Sequence, residues 1–388
     1  MKRLLLVLFA LSFGFAASAK ASYLNGRSYD EIHSVTDSLG LEEKAKSGDA
    51  EAQYLLGRSY LNGLNGYPID FVKAEYWARM SAEQGNANGQ NLLGVCYAYG
   101  RGVEQSYAEG VLWYRMAANQ GNAKAQNNLG VCYCNGCGVE KNYNEAVKWF
   151  QKSADQGNSR GQYLLGWCYE TGNGVRLSYA DAVRWYRKAA EQGDADAQYG
   201  LGWCYNHGKG VDQNYNEAVN WYRKSAEQGH ANSQNNLGVC YEYGEGVSRS
   251  DVDAVRWYRR SATQGNMYGQ YNIGRSYEYG RGVNANLVEA AAWYKKAAEQ
   301  GHKASQIKMA ECYEQGKGVK QDYIESIKWY MKAAEQGDVD VQVKLGDIFY
   351  NGRGVAKNDT EAEKWYRMAA EKGNEKAKLA LNNMGVIW

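Results

Sequence analysis

The chain has 388 residues, of which 44% are hydrophobic, 23% charged and 13% aromatic, with a single proline; this excludes a disordered chain and suffices for two ordinary domains or one long array. A formal charge of only +2, without a basic run or stripe, excludes nucleic acid as a partner class. The bias toward 12 Trp, 33 Tyr and 45 Gly against 6 Phe points to one motif copied many times.

The first element is a leader. Met1-Lys2-Arg3 is a short positive start, Leu4 to Phe15 an apolar run with Gly14 near its end, and Ala17-Ser18-Ala19 a small-x-small cleavage site. These are the parts of a secretory signal peptide over residues 1–19, cut after Ala19 or, as a second choice, after Ala21. The run is short for a membrane span, and no later segment is apolar enough to cross a bilayer. Loss of Lys2 and Arg3 with the leader brings the formal charge to zero. Residues 20–48 read as an N-terminal cap, because Glu42 to Gly48 echoes the end of a repeat.

Residues 49–373 then repeat. Gly85, Gly121, Gly157, Gly193, Gly229, Gly265, Gly301, Gly337 and Gly373 fall at a constant spacing of 36, and so do Trp77, Trp113, Trp149, Trp185, Trp221, Trp257, Trp293, Trp329 and Trp365. Two columns held in register nine times mean a solenoid. In the repeat 193–229, Asp194 can cap a helix on which Ala197, Leu201, Cys204 and Tyr205 recur at helical spacing. Gly208 and Gly210 end it, glycine tolerating the left-handed backbone found there. A second helix follows, with Tyr215, Ala218, Trp221, Tyr222, Ser225 and Ala226 at steps of three and four, and Gly229 stops it. Each repeat is therefore helix A, a glycine loop, helix B and a short turn. The whole is an all-α superhelix, in which stacking buries the stripe that one repeat cannot bury alone. Gly202 costs about 1 kcal/mol relative to alanine in mid-helix, yet recurs as Gly94, Gly130, Gly166, Gly238, Gly274 and Gly346. The Trp-Tyr pair of helix B is expected to pack near it. The first repeat carries one extra residue and Pro68 in its loop, and residues 374–388 begin a further helix with Ala377 and Leu381 that suits a C-terminal cap.

The pattern A-x-x-Q-x-x-L-G-x-x-Y-x-x-G-x-G-V followed by A-x-x-W-Y-x-x-A-A-x-x-G resembles the Sel-1-like repeat, a relative of the tetratricopeptide repeat with a longer inter-helix loop. In the second repeat it reads Asn91-Leu92-Leu93-Gly94-Val95-Cys96-Tyr97, Gly100-Arg101-Gly102-Val103 and Trp113-Tyr114-Arg115-Met116-Ala117-Ala118. Repeats eight and nine drift, with Met309-Ala310 for Leu-Gly and Phe349 for tyrosine. The resemblance implies a right-handed superhelix that scaffolds protein complexes, often in bacterial envelope or signalling settings. By analogy with the tetratricopeptide repeat, helix A lines a concave surface.

On that surface the ligand-facing positions vary. Repeat four offers Arg160, Tyr163, Trp167 and Glu170, repeat five Tyr199, Trp203, Asn206 and His207, and repeat seven Tyr268, Tyr271, Arg275 and Glu278. Repeats two, three and six place Asn91, Asn127 and Asn235 at one shared position. Trp167 and Trp203 share a slot that holds Val, Arg, Glu or Asp elsewhere, and large aromatics and Arg dominate interface hot spots. Asn offers a donor and an acceptor for main-chain capture of an extended peptide. A peptide site on repeats three to seven is therefore expected. Packing of these rings between repeats is the plainer alternative, and core packing is expected of all nine helix-B tryptophans.

Cys96, Cys132, Cys168, Cys204, Cys240 and Cys312 share one column. Their spacing of roughly 9–10 Å exceeds the reach of a disulfide, so they read as small buried apolar residues. Cys134 and Cys137 break the column, and an oxidising compartment could join them. No His completes a metal set beside them, and neither a metal nor a cofactor is expected. Gly157-Asn158-Ser159-Arg160-Gly161 matches a nucleophile-elbow string but follows a helix rather than a strand. Ser305-Gln306-Ile307-Lys308 matches an S-x-x-K string without its companion motifs. The leading expectation is a periplasmic or secreted scaffold, monomeric and not an enzyme, that binds a peptide or protein. The alternatives are an envelope protein interacting with peptidoglycan or β-lactams, and a passive spacer.

Overall fold

The computed structural model describes residues 40–386. The expected leader, 1–19, and most of the N-terminal cap, 20–48, lie outside the described residues. Within them every regular element is a helix. After a helical turn over 40–46, the helix-A elements are α1 (Ala50–Asn62), α3 (Ala87–Tyr99), α5 (Ala123–Asn135), α7 (Ser159–Thr171), α9 (Ala195–His207), α11 (Ala231–Tyr243), α13 (Met267–Tyr279), α15 (Lys303–Gln315) and α17 (Val339–Asn351). The helix-B elements are α2 (Phe71–Glu83), α4 (Tyr107–Asn119), α6 (Tyr143–Asp155), α8 (Tyr179–Glu191), α10 (Tyr215–Glu227), α12 (Asp251–Thr263), α14 (Leu287–Glu299), α16 (Tyr323–Glu335) and α18 (Asp359–Glu371), and α19 (Glu375–Asn383) follows. Residues up to Gln213 form one compact unit and residues from Asn214 a second, the division falling in the loop of repeat five.

Local chemistry sets the ends of each helix. Asp194 accepts from the Ala197 amide and Asn214 from Glu217, each satisfying a donor that the first turn leaves open. Gly208 closes α9 in the left-handed conformation, at φ 62°, which any side chain would strain.

The mid-helix glycine of helix A receives a ring, and the ring is the tyrosine rather than the tryptophan. A Cβ on Gly166 would lie 2.7 Å from Tyr186 Cδ1, and one on Gly274 would lie 2.8 Å from Tyr294 Cδ1. Tyr114, Phe150, Tyr186, Tyr258, Tyr294 and Tyr330 are all fully buried in this slot. In repeat one the slot holds Ala78, and Gly57 instead meets the backbone of α2 directly. The tryptophans divide. Trp185, Trp221, Trp329 and Trp365 are buried, whereas Trp77, Trp113, Trp149, Trp257 and Trp293 are half-buried. A cation three residues on covers many of these indoles, as Lys152 does Trp149 at 4.2 Å and Lys296 does Trp293 at 4.1 Å. The column thus lines the boundary between core and solvent, where a cation–π contact suits an amphipathic ring.

Two further contacts join consecutive repeats. Gly174, at φ 72°, packs against the Tyr143 carbonyl at the start of the preceding helix B, so the glycine loop touches the repeat before it. A buried glutamine in helix A makes the other. Gln162 donates from Nε2 to the Ala154 carbonyl of α6 and accepts at Oε1 from Gln192, which ends its own helix B, at 2.8 Å. The same pair recurs as Gln84–Gln53, Gln120–Gln90, Gln264–Gln234 and Gln336–Gln306. At the other end, Ala377 and Leu381 of α19 pack on Tyr366, Ala369 and Ala370.

Repeat nine breaks the glutamine rule. Lys372 stands where the other repeats end in Gln, and its Nζ donates to the Gly337 carbonyl at 3.2 Å. Gln342 Oε1 is left buried without a partner. A buried unmet acceptor costs about 1–3 kcal/mol. Lys372→Gln is expected to supply the missing donor, since Gln336 bonds both Gln306 and the Gly301 carbonyl from the equivalent slot. Chemical denaturation should show a gain of about 1 kcal/mol; unchanged or reduced stability would contradict the assignment.

Candidate functional site

The first unit carries a cleft of about 280 Å³ on its helix-A face, lined by α1, α3, α5 and the start of α7. Its floor is apolar: Leu61, Leu92, Val95, Val131 and Leu164 are buried there. Above the floor runs a row of amides. Asn128 donates to Asn91 Oδ1 at 2.9 Å, and Asn127 donates to Asn158 Oδ1 at 2.9 Å. The amides thus tie neighbouring repeats together. Asn127 Oδ1 remains buried without a partner.

Three cations line the cleft and no carboxylate does. Arg58 and Lys124 are exposed and make no ion pair among the described residues. Arg160 is held from one side, its Nη1 at 2.5 Å from Asp196 and 3.9 Å from Asp194, with the guanidinium 4.7 Å from the Tyr163 ring. Its Nε and Nη2 are buried with no hydrogen-bond partner. Burial pushes the Asp194 carboxyl up against the opposing pull of Arg160.

Asn91, Asn127 and Arg160, all expected from the sequence, come together here. The other expected residues do not. Trp167 is only 8% exposed. Trp203 is half-buried, stacked on His207 at 4.6 Å and 6.3 Å from Tyr179. Tyr163 stacks on Tyr186 at 5.8 Å, and Tyr199 is half-buried. Neither indole stands out as a free anchor, and this cleft lies on repeats one to four, whereas a site on repeats three to seven was expected. Tyr54, Arg58 and Lys124 were missed. Extending the column comparison back one repeat finds Arg58, which occupies the slot of Trp167.

The helix-A face of the second unit is closed by its own charges. Arg275 reaches Glu242 at 3.4 Å, Lys308 reaches Glu278 at 3.2 Å, and Lys344 reaches Glu314 at 2.8 Å, each linking one repeat to the one before. The same acids accept from buried tyrosines, Tyr258 on Glu242 at 2.6 Å and Tyr330 on Glu314 at 2.9 Å. Burial pushes the Glu314 carboxyl up, but the hydrogen bonds from Lys344 and Tyr330 outweigh it and hold the group below its usual range. Asn235 accepts from Asn272 at 2.9 Å. Tyr268, exposed, and Tyr271, half-buried, pack on His302 at 5.4 and 4.9 Å.

All eight cysteines are free thiols. Burial pushes the Cys96, Cys132, Cys204 and Cys240 thiols up to about 12, which suppresses the reactive thiolate. Cys134 is buried, with its thiol likewise up to about 12, and Cys137 is half-buried. Ser305 is fully buried beside His302, and Lys308 is committed to Glu278, so the S-x-x-K string forms no Ser–Lys pair. Among the described residues no cluster of three His, Cys, Asp or Glu could hold a metal, and no helix is long and apolar enough to cross a membrane.

Stacked two-helix units, repeated along the described residues, define an α-solenoid of repeat type. The chain belongs to the Sel1 repeat family, which it matches nine times, over 50–86, 87–122, 123–158, 159–194, 195–230, 231–266, 268–302, 303–338 and 339–374. It is similar to the crystal structure of a protective antigen present in uropathogenic Escherichia coli strains, which displays an SLR fold, with 40% identity over 89% of this chain and 73% of that one and a TM-score of 0.68. It is also similar to a Sel1 repeat protein from Oxalobacter formigenes, with 29% identity over 84% of this chain and 99% of that one and a TM-score of 0.59. Comparison with the curated proteins returned no match. Sel1 repeat proteins are in general non-catalytic scaffolds for protein interaction.

His302 supplies a pH-dependent element. It caps α15, Nδ1 accepting from the Ser305 amide at 3.3 Å, and burial lowers its pKa. With the folded pKa depressed, the unfolded chain takes up the proton first as pH falls. The contribution of this cap is therefore full above the ordinary histidine pKa and drains away as pH drops toward the folded value. Asn serves the same position in other repeats, at Asn122 and Asn266. Thermal melts at pH 5 and pH 7.5 should show a smaller acid loss for His302→Asn than for wild type. Identical losses would remove His302 from the account.

Proposed function

We propose that this chain is an exported protein-interaction scaffold that holds an extended segment of a partner in the helix-A cleft of repeats one to four. One observation carries the reading: Arg160 Nε and Nη2 and Asn127 Oδ1 are buried with unmet hydrogen-bonding capacity beside an apolar floor. A polypeptide main chain offers carbonyl oxygens to the guanidinium and an amide hydrogen to the Asn oxygen, while its side chains cover the floor. A passive spacer would carry no such imbalance. The wall-binding or β-lactam reading calls for a clustered Ser–Lys pair, and at the S-x-x-K string Ser305 is buried beside His302 while Lys308 is paired with Glu278. Export rests on the leader of residues 1–19, and is in keeping with the 40% identical relative being a protective antigen.

Val131 lines the cleft in the slot that repeats four and five fill with Trp167 and Trp203, so Val131→Trp should fill the cleft and keep the fold. Affinity capture from envelope extract should lose partner recovery by about tenfold or more in this variant, as expected of a blocked hot spot. Leu112→Ala, at an exposed site on α4, should recover the partner as wild type does. Equal recovery by Val131→Trp and wild type would place the interaction elsewhere.

A further inference from the structure

The charge on the cleft is unlike that on the rest of the helix-A face. On the rest of that face a cation has a carboxylate, as Arg275, at the same repeat position as Arg58, has Glu242; within the cleft Arg160, at the same position as Lys124, pairs with Asp196 of the following repeat. Lys124 finds no such partner, because the equivalent position of its following repeat holds Arg160, a third cation. Arg58 and Lys124 thus face one cavity, unpaired, with no lining acid to neutralise them. The pattern that closes the second unit is missing at this cleft, whose lining holds no carboxylate.

We infer that the segment taken up by this cleft is acidic: an extended polypeptide whose Asp or Glu carboxylate is held by Arg58 and Lys124 and whose neighbouring aliphatic side chain rests on Leu92 and Val131. The inference rests on the proposed cleft reading and names the chemistry of its occupant. The space of about 280 Å³ is at the lower edge of ordinary ligand pockets, the size of a few side chains. Nucleic acid calls for a longer basic stripe than two free cations, and an apolar floor gives a phosphate backbone nothing to bind. Asn127 Oδ1 awaits an N–H donor, which a peptide main chain has and a simple anion lacks. Hydrogen bonds to ionised groups are the strong ones, so the carboxylate should govern affinity while the main chain governs direction.

The test uses the full chain on a cellulose-bound array of acetylated hexapeptides, in which a central residue beside a leucine is Glu, Asp, Gln, Asn or Lys. The acidic peptides are expected to retain the protein about tenfold more than their amide counterparts, as one or two charge-assisted hydrogen bonds provide. That preference should weaken at high salt, because both cations are exposed. Arg58→Ala/Lys124→Ala, at surface positions that leave the core intact, should level acid and amide peptides, and Val131→Trp should abolish retention of every peptide. Equal retention of acid and amide peptides by wild type, lost in Val131→Trp, would overturn the acidic preference while the cleft reading stands. Acid preference that persists in Arg58→Ala/Lys124→Ala, or competition by heparin as strong as by soluble acidic peptide, would also overturn it. Undiminished retention by Val131→Trp, or no retention of any peptide by wild type, would overturn the cleft reading itself.

Discussion

The structure depends on one contact, an aromatic ring of helix B laid on the bare backbone of a mid-helix glycine in helix A. Tyr186 on Gly166, Tyr258 on Gly238 and Tyr294 on Gly274 repeat it, with ring carbons where a Cβ would otherwise stand. Glycine in mid-helix costs about 1 kcal/mol in helix propensity, and the buried ring more than offsets that through packing. The contact sets how closely the two helices of a repeat approach. The glutamine pair and the glycine loop then set how repeats follow one another. Repeat eight marks the tolerance of the joint: Ala310 fills the glycine slot and Tyr330 is still buried.

Because the two-helix joint and the glutamine pair absorb the fixed positions, the outer turns of helix A are free to differ between the units. In the second unit they are used internally. Arg275, Lys308 and Lys344 each bridge to an acid of the previous repeat, and the acids also serve buried tyrosine hydroxyls. Such partly buried pairs contribute little net stability, because desolvation offsets much of their attraction. In the first unit the column of Arg275 carries Arg58, Val95, Val131, Trp167 and Trp203, the column of Lys308 and Lys344 carries Leu, Asn or Gly, and a cleft opens beside Val131. The same scaffold thus yields a wall of internal ion pairs in one unit and a wall with an open cleft in the other.

Much of the fold was legible because a period of 36 turns each structural demand into a column. The caps at Asp194 and Asn214 and the stop at Gly208 follow from side-chain chemistry alone. Which ring covers the glycine was not legible, since adjacent Trp and Tyr differ by about 100° around the helix and only the packed geometry chooses. A signal was present: Lys152, Lys188 and Lys224 follow the tryptophans by three and lie over them, marking a ring that borders solvent. Another was Ser81 with Gly89, Ser153 with Gly161 and Ser261 with Gly269, where a Cβ on the glycine would crowd the serine hydroxyl; at Ser225 the partner is Ser233, which hydrogen-bonds it instead. Of the residues that line the cleft, Asn91, Asn127 and Arg160 stand out in the sequence as variation between repeats. Arg58 was not, because the longer loop of repeat one set that repeat apart. Trp167 was misleading because size suggests an anchor while burial decides, and the Arg275–Glu242 pair joins residues 33 positions apart, beyond any local pattern.

The central claim is that the ring and the glycine are one unit of structure, and a double-mutant cycle on Gly274 and Tyr294 tests it most directly. Hydrogen exchange of the α13 and α14 amides reads local opening of that repeat without assuming that the whole array unfolds together. Gly274→Ala in the native background should lower the opening free energy by about 1–3 kcal/mol. In the Tyr294→Ala background the same change should cost nothing or stabilise, the coupling being of the size expected for residues in contact. An equal penalty in both backgrounds would contradict the account, because the glycine would then be answering to something other than the ring.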